Sequence, residues 1–285
     1  PMGEVSEVLH EPRLTQLHWS PDGKQLAFVN VGAKGSELWV ADVASSTARR
    51  VPGVSLNGSA GFTLEWTPDG QSLLALVVPA KLGPPPALSP VPSGPSVQET
   101  DGTKASARTF QDLLRTPEDE KAFTYYLTSQ VLTIRPDGSG RKELTRPGLF
   151  VTAALSPSGD FLLVESLHTP FSFNVPLSNF PIKTEVLDLR AKTAKVLADR
   201  PLDENSPPDF DSVSAGRRSF QWREDAPHTL FWVEAQDGGD ARKVSAQRDQ
   251  AFLWTPGGEP QPWVMLDQRF SQVEWGDDQH ALVYE

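Results

Sequence analysis

Residues 17–29, Leu-His-Trp-Ser-Pro-Asp-Gly-Lys-Gln-Leu-Ala-Phe-Val, return four more times in degraded form, at 64–76, 154–164, 220–232 and 273–283. Each copy reads as strand, tight turn, strand, because Pro presets φ and Gly accepts the positive φ that branched side chains refuse. A further strand pair, 37–43 and 48–51, follows the first copy, so one period holds about four strands in roughly 45 residues, the size of a propeller blade. The 26 prolines and 21 glycines interrupt nearly every window long enough for a 3.6-residue period. The expected fold class is therefore all-β: a partial β-propeller of four-stranded blades, about five to six in an open ring, forming one domain over 1–285. Trp19, Trp66, Trp222 and Trp275 recur at one place in the repeat, and recurrence predicts core packing for all of them.

The spacing of the copies is uneven. Trp19 and Trp66 stand 47 residues apart, whereas Trp66 and Leu155 stand 89 apart, which places an insertion at about 79–126. Its first part holds seven prolines in the 17 residues from Pro79 to Pro95, a composition that cannot supply ladder donors and must lie outside the sheets. Its second part, 108–126, has helical spacing, with Phe110, Leu113 and Leu114 on one side and Thr116-Pro-Glu-Asp-Glu opening a helix with Pro near its first position. Strand pattern resumes at 128–134, and Arg135-Pro-Asp-Gly138 turns it back.

Charge and composition exclude several functions. A formal charge of −11, with Lys and Arg in no run longer than a pair, argues against a nucleic-acid partner. No run approaches the roughly 20 apolar residues of a membrane span, and Pro1-Met-Gly-Glu-Val5 lacks the basic and apolar parts of a signal peptide, so a soluble chain is expected. Its compartment, periplasm or cytoplasm, stays open. The absence of cysteine removes disulfides, thiolate metal sites and a cysteine nucleophile. His10, His18, His228 and His280 flank strands or turns and read as surface or packing residues, none at metal-ligand spacing. The acidic run Asp203 to Asp211 lacks the Asp-x-Asp-x-Asp-Gly loop of a calcium site and reads as a solvated loop; no metal and no cofactor are expected.

Longer stretches carry a more specific signal. Leu88-Ser-Pro-Val-Pro-Ser-Gly-Pro95, Arg108-Thr-Phe-Gln-Asp-Leu-Leu114, Tyr125-Tyr-Leu-Thr-Ser-Gln130, Ser166-Leu-His-Thr-Pro-Phe-Ser-Phe173, Arg218-Ser-Phe-Gln-Trp-Arg223, Ala235-Gln-Asp-Gly-Gly-Asp240 and Ala281-Leu-Val-Tyr-Glu285 appear together and in this order. Over roughly 14–285 the chain resembles the glutamyl endopeptidase-like serine peptidases of the prolyl oligopeptidase family. That resemblance implies a propeller joined to a C-terminal α/β-hydrolase domain whose Ser, Asp and His cleave peptides after glutamate. The Gly-x-Ser-x-Gly elbow such a domain needs occurs nowhere in these 285 residues, so this chain by itself is expected to be inactive. The expected partners are a peptide substrate and the missing hydrolase domain, in the same parent chain or in a second one. A stand-alone binding propeller of the TolB type, or the propeller of a dipeptidyl or acylaminoacyl peptidase, remains the alternative.

Specificity for glutamate calls for a partly buried cation, and the planar fork of arginine suits a carboxylate better than lysine does. Arg218 is the first candidate, opening a strand that faces a channel mouth in a propeller, followed by Arg217, Arg108 and Arg223. For each, half of a salt bridge between blades is the reading that substrate contact must displace. His168 sits in a loop with Pro170 and the aromatics Phe171 and Phe173, readable as substrate contact or as support of that loop. No catalytic residue is expected.

Overall fold

The computed structural model describes residues 13–33, 35–87, 110, 113–204, 211–277 and 279–285. The described residues group into two compact units, one within 1–85, 123–166 and 186–195, the other within 86–122, 167–185 and 196–285.

Among the described residues, five sheets follow one another. The first is β1 (Leu14–Trp19), β2 (Gln25–Gly32), β3 (Gly35–Asp42) and β4 (Thr47–Arg50), in that order. The second is β5 (Leu64–Trp66), β6 (Leu73–Val77), β7 (Gln130–Ile134) and β8 (Lys142–Glu143). The third is β9 (Phe150–Leu155), β10 (Phe161–Leu167), β11 (Ile182–Asp188) and β12 (Thr193–Arg200), and the division between the units falls within its strands. The fourth is β13 (Arg217–Trp222), β14 (Leu230–Ala235), β15 (Asp249–Trp254) and β16 (Gln261–Leu266), and the fifth pairs β17 (Gln272–Trp275) with β18 (Ala281–Tyr284). Every repeat copy is thus the first hairpin of a sheet, as the alternation predicted. Arg135-Pro-Asp-Gly138 joins β7 to β8 inside the second sheet and adds no sheet of its own.

The repeat's turn has a visible cause. Ser20 Oγ donates to Asp22 Oδ1 at 2.7 Å and accepts from the Gln25 amide at 2.9 Å, while the Gly23 amide closes the turn on Ser20 O at φ 69°. Thr67, Asp69, Gly70 and Ser72 repeat this set, with Thr67 Oγ1 to Asp69 Oδ1 at 2.6 Å. A hydroxyl residue, Pro, Asp and Gly are therefore each needed by one bond or one dihedral of the turn.

Within the insertion, 80–87 form no strand, in line with the proline content, and 88–95 lie outside the described residues. Helix α1 spans Pro117–Leu127. Thr116 Oγ1 accepts from the Asp119 amide at 3.1 Å and Asp119 Oδ2 accepts from the Thr116 amide at 3.0 Å, a reciprocal capping box that starts the helix with Pro117 at its first position. Leu113 and Leu114, expected on a helical face, precede it in irregular backbone, because this cap sets the start.

Packing between sheets is aliphatic in the first unit. Ala27, Val29, Leu38 and Val40 of sheet one meet Leu64, Leu73, Ala75, Leu132 and Ile134 of sheet two, with Trp66 at the margin. The indole of Trp66 donates to His18 O of the preceding sheet at 2.9 Å. In the second unit, Trp275 packs on Phe231 and Trp263 of the sheet before its own. The repeated tryptophan is therefore a wedge against the preceding sheet. Core packing fails for Trp19, which is 60% exposed, because among the described residues no sheet precedes β1 for it to wedge against. Trp222 is 7% exposed.

Candidate functional site

Strand β13 carries a bulge. Arg218 pairs with Val233 and Gln221 with Phe231, so one residue is extra on β13, and Ser219 sits in the left-handed region at φ 57°. Arg217 and Arg218 are neighbours with separate surroundings. Arg217 donates to Glu234 Oε1 at 3.1 Å and to Leu197 O at 3.0 Å, its guanidinium 4.8 Å from the ring centre of Trp232. Arg218 donates through Nη2 to Asp249 Oδ2.

Asp249 belongs to a larger network. Its carboxylate also accepts from Arg269 Nη1 at 3.1 Å and from the Phe270 amide at 2.7 Å. Arg269 Nη2 reaches both oxygens of Asp237, at 2.8 and 2.6 Å, and Arg248 Nη1 donates to Asp237 at 2.8 Å. Both aspartate side chains are fully enclosed, and Arg218 is 13% exposed. Three guanidinium groups thus face two carboxylates, leaving one positive charge in excess. Arg269 bridges both carboxylates while Arg218 and Arg248 each meet one, and Arg218 Nη1 is enclosed with no acceptor among the described residues. Leaving such a donor enclosed and unmet carries a desolvation cost.

The charges respond to this setting. Burial works to raise the Asp237 carboxyl, but hydrogen bonds from Arg248 and Arg269 outweigh it and hold the group below the ordinary carboxylate range. Burial pulls the Arg218 guanidinium down while Asp249 pulls it back, and an arginine stays cationic at neutral pH. Nearby, Arg242 brings half-buried Asp240 down to about 2.

The loop that delivers Asp237 explains its glycines. Gly239 lies at φ 82°, and a Cβ there would stand 2.0 Å from Val213 O; its amide donates to Asp237 Oδ1 at 2.9 Å, and its carbonyl accepts from Val213. Only glycine permits this approach, which pins the loop to 211–215.

The other candidates are placed apart. Arg223, just past β13, holds Asp225 with two bonds, at 3.0 and 2.5 Å, and stacks 4.3 Å over Trp275. His168 meets Asp199 Oδ1 at 2.8 Å through Nε2 and Thr169 O at 2.9 Å through Nδ1. Arg108 lies outside the described residues. Sequence reasoning missed Asp249, Arg248 and Arg269. Asp249 had a signal, since it shares its strand face with Ala251 and Leu253, and a carboxylate on an apolar face is enclosed only when paired. Among the described residues no group of three or more His, Asp or Glu is placed to hold a metal, and no helix is long and apolar enough to cross a membrane.

Comparison with models of protein families finds no match. Among curated proteins, the chain is 36% identical over 287 residues to the probable chloroplastic glutamyl endopeptidase of Oryza sativa subsp. japonica, covering 96% of this chain and 30% of the relative. It is 37% identical over 298 residues to the protein of the same name from Arabidopsis thaliana, covering 100% of this chain and 31% of the relative. Among solved structures, the tricorn protease superposes with a TM-score of 0.51 at 10% identity, over 94% of this chain and 23% of that one, a likeness of fold. The chain spans about three tenths of the length of the curated relatives it matches. The resemblance read from the motifs is borne out: this chain of β-propeller sheets is a relative of the glutamyl endopeptidases.

Proposed function

We propose that the chain is the propeller portion of a longer serine peptidase, gating access and forming part of the wall that binds the peptide, while an α/β-hydrolase domain outside these residues performs acyl transfer. The observation that carries this reading is identity of 36–37% along essentially the whole chain to proteins named glutamyl endopeptidase. A domain of packed antiparallel sheets suits the role, since a rigid scaffold excludes folded proteins and admits extended chains.

Within that wall, Arg218 is the residue we assign to an acidic substrate side chain. Its support is the excess positive charge of the network and the part of its side chain, 13%, that stays exposed. Removing Arg218 still leaves Asp249 with Arg269 and the Phe270 amide, so the fold does not require it as it requires Arg269. Arg217, Arg223 and His168 hold their carboxylates locally and serve the shape of this wall.

The test is cleavage of a peptide with one internal glutamate, followed by mass spectrometry. The chain alone should leave it intact, and the parent protein containing the hydrolase domain should cut after the glutamate. Release of dipeptides or acylated amino acids from the amino end by the parent, or no cleavage at all, overturns the reading.

A further inference from the structure

Far along the sequence from the arginine network, the first unit carries a groove of about 320 Å³ between the β8 end of sheet two and the hairpin joining β11 to β12. Its apolar lining is Leu144, Leu187 and Leu189, each half-buried and packed on Leu74, Leu76 and Val131 beneath. Strand β8 is only two residues long and ends its sheet, so its outer edge has no strand partner.

The charges around the groove are unbalanced in effect. Asp188 is consumed by its own turn, accepting the Arg190 and Ala191 amides at 2.9 and 2.7 Å, and Glu143 faces Arg141 at 3.6 Å. Lys142 and Lys192 also line the groove, and neither has a carboxylate at ion-pair distance among the described residues. Lys192 is held at φ 55°, a region that costs any residue with a Cβ. The fold does not demand lysine there. The matching hairpin of sheet one, 42–47, makes the same turn with Ser46 at φ 53°. What lysine adds over serine is a long cationic side chain beside an apolar floor.

We propose that this groove docks an extended segment of a protein partner in which apolar side chains alternate with aspartate or glutamate. The apolar side chains would cover Leu144, Leu187 and Leu189, the carboxylates would meet Lys142 and Lys192, and the backbone would run along the free edge of β8. Strand addition supplies affinity through the main chain and specificity through alternate side chains. The two lysines select acidic sequences and reject basic ones.

The probe is a fluorescein-labelled peptide of alternating glutamate and leucine, with a lysine–leucine and a glutamate–serine peptide beside it, read by anisotropy on the 285-residue chain. The glutamate–leucine peptide should bind saturably, and the other two should bind at least on the order of tenfold more weakly. The double variant Lys142→Glu/Lys192→Glu should weaken the first peptide by a similar factor. Lys192→Ser, the residue already tolerated at the matching turn, should show part of the same loss, so misfolding of the double variant does not rescue the idea. Saturable binding that ignores these substitutions, equal binding of the basic peptide, or no binding up to millimolar chain overturns it.

Discussion

The contact between sheets one and two and the contact between sheets four and five use one repeat to opposite effect. The first is an aliphatic seam, Ala27, Val29, Leu38 and Val40 against Leu73, Ala75 and Ile134. The second adds aromatic rings to Val233, Ala251 and Val273, with Phe231 against Phe270, Trp275 and Trp263, and at one end it encloses Asp237 and Asp249 under three arginines. The first seam coheres by apolar packing, whereas the second also depends on its buried charges staying paired. Three of the stretches that resemble the glutamyl endopeptidases, at 218–223, 235–240 and 281–285, lie in this second region. Where the repeat departs from its aliphatic form, it gathers buried charge.

This contrast can be broken by substitution. Asp249→Ala strands Arg218 and Arg269 without their shared carboxylate and should cost about 3–5 kcal/mol in denaturant unfolding. Leu73→Ala in the aliphatic seam opens a cavity and should cost about 2–5 kcal/mol, but with no dependence on salt or pH. A cost for Asp249→Ala no larger than for an exposed aspartate would erase the distinction.

Acid should separate the seams without mutation. Because the folded Asp237 carboxyl lies below its unfolded value of 3.8, its contribution is fully present above that value and is lost as pH falls through the lower folded value. Backbone amide hydrogen exchange in β14 and β15 should therefore speed up below about pH 4 before exchange in β6 and β7 does. Simultaneous acceleration in both pairs of strands would show a single cooperative transition instead.

Smaller effects sharpen the picture. Arg223→Lys gives up the two-bond grip on Asp225 and the stacking over Trp275, an expected loss of about 0.5–1 kcal/mol. Trp19→Ala should change stability by no more than about 0.5 kcal/mol, whereas the same substitution at enclosed Trp222 should cost about 3–5 kcal/mol. Equal costs at these two positions would remove the idea that the repeated tryptophan is a wedge.

Much of the fold was readable from residues alone, because each turn residue answers to a local bond: Ser20 to Asp22, Thr67 to Asp69, Gly23 to a positive φ. The capping box at Thr116 and Asp119 was equally local, though its power to delay the helix past Leu113 and Leu114 was not evident. Trp19 misled, since exposure depends on what lies across a face and repetition reports only position within a sheet. The arginine network was half legible. Arg218 and Asp237 stood in family-like stretches, but Asp249 and Arg269 meet them from 31 and 32 residues away, and no spacing rule links them.

The most direct test measures kcat/KM of the parent peptidase on two peptides that differ only by glutamate or glutamine at the cleavage position, with wild type and Arg218→Gln. If Arg218 receives the substrate carboxylate, preference for glutamate should fall by on the order of ten- to a hundredfold while the melting temperature barely moves. An unchanged preference in a variant that folds normally would contradict the assignment and leave Arg218 as one more ion pair between strands.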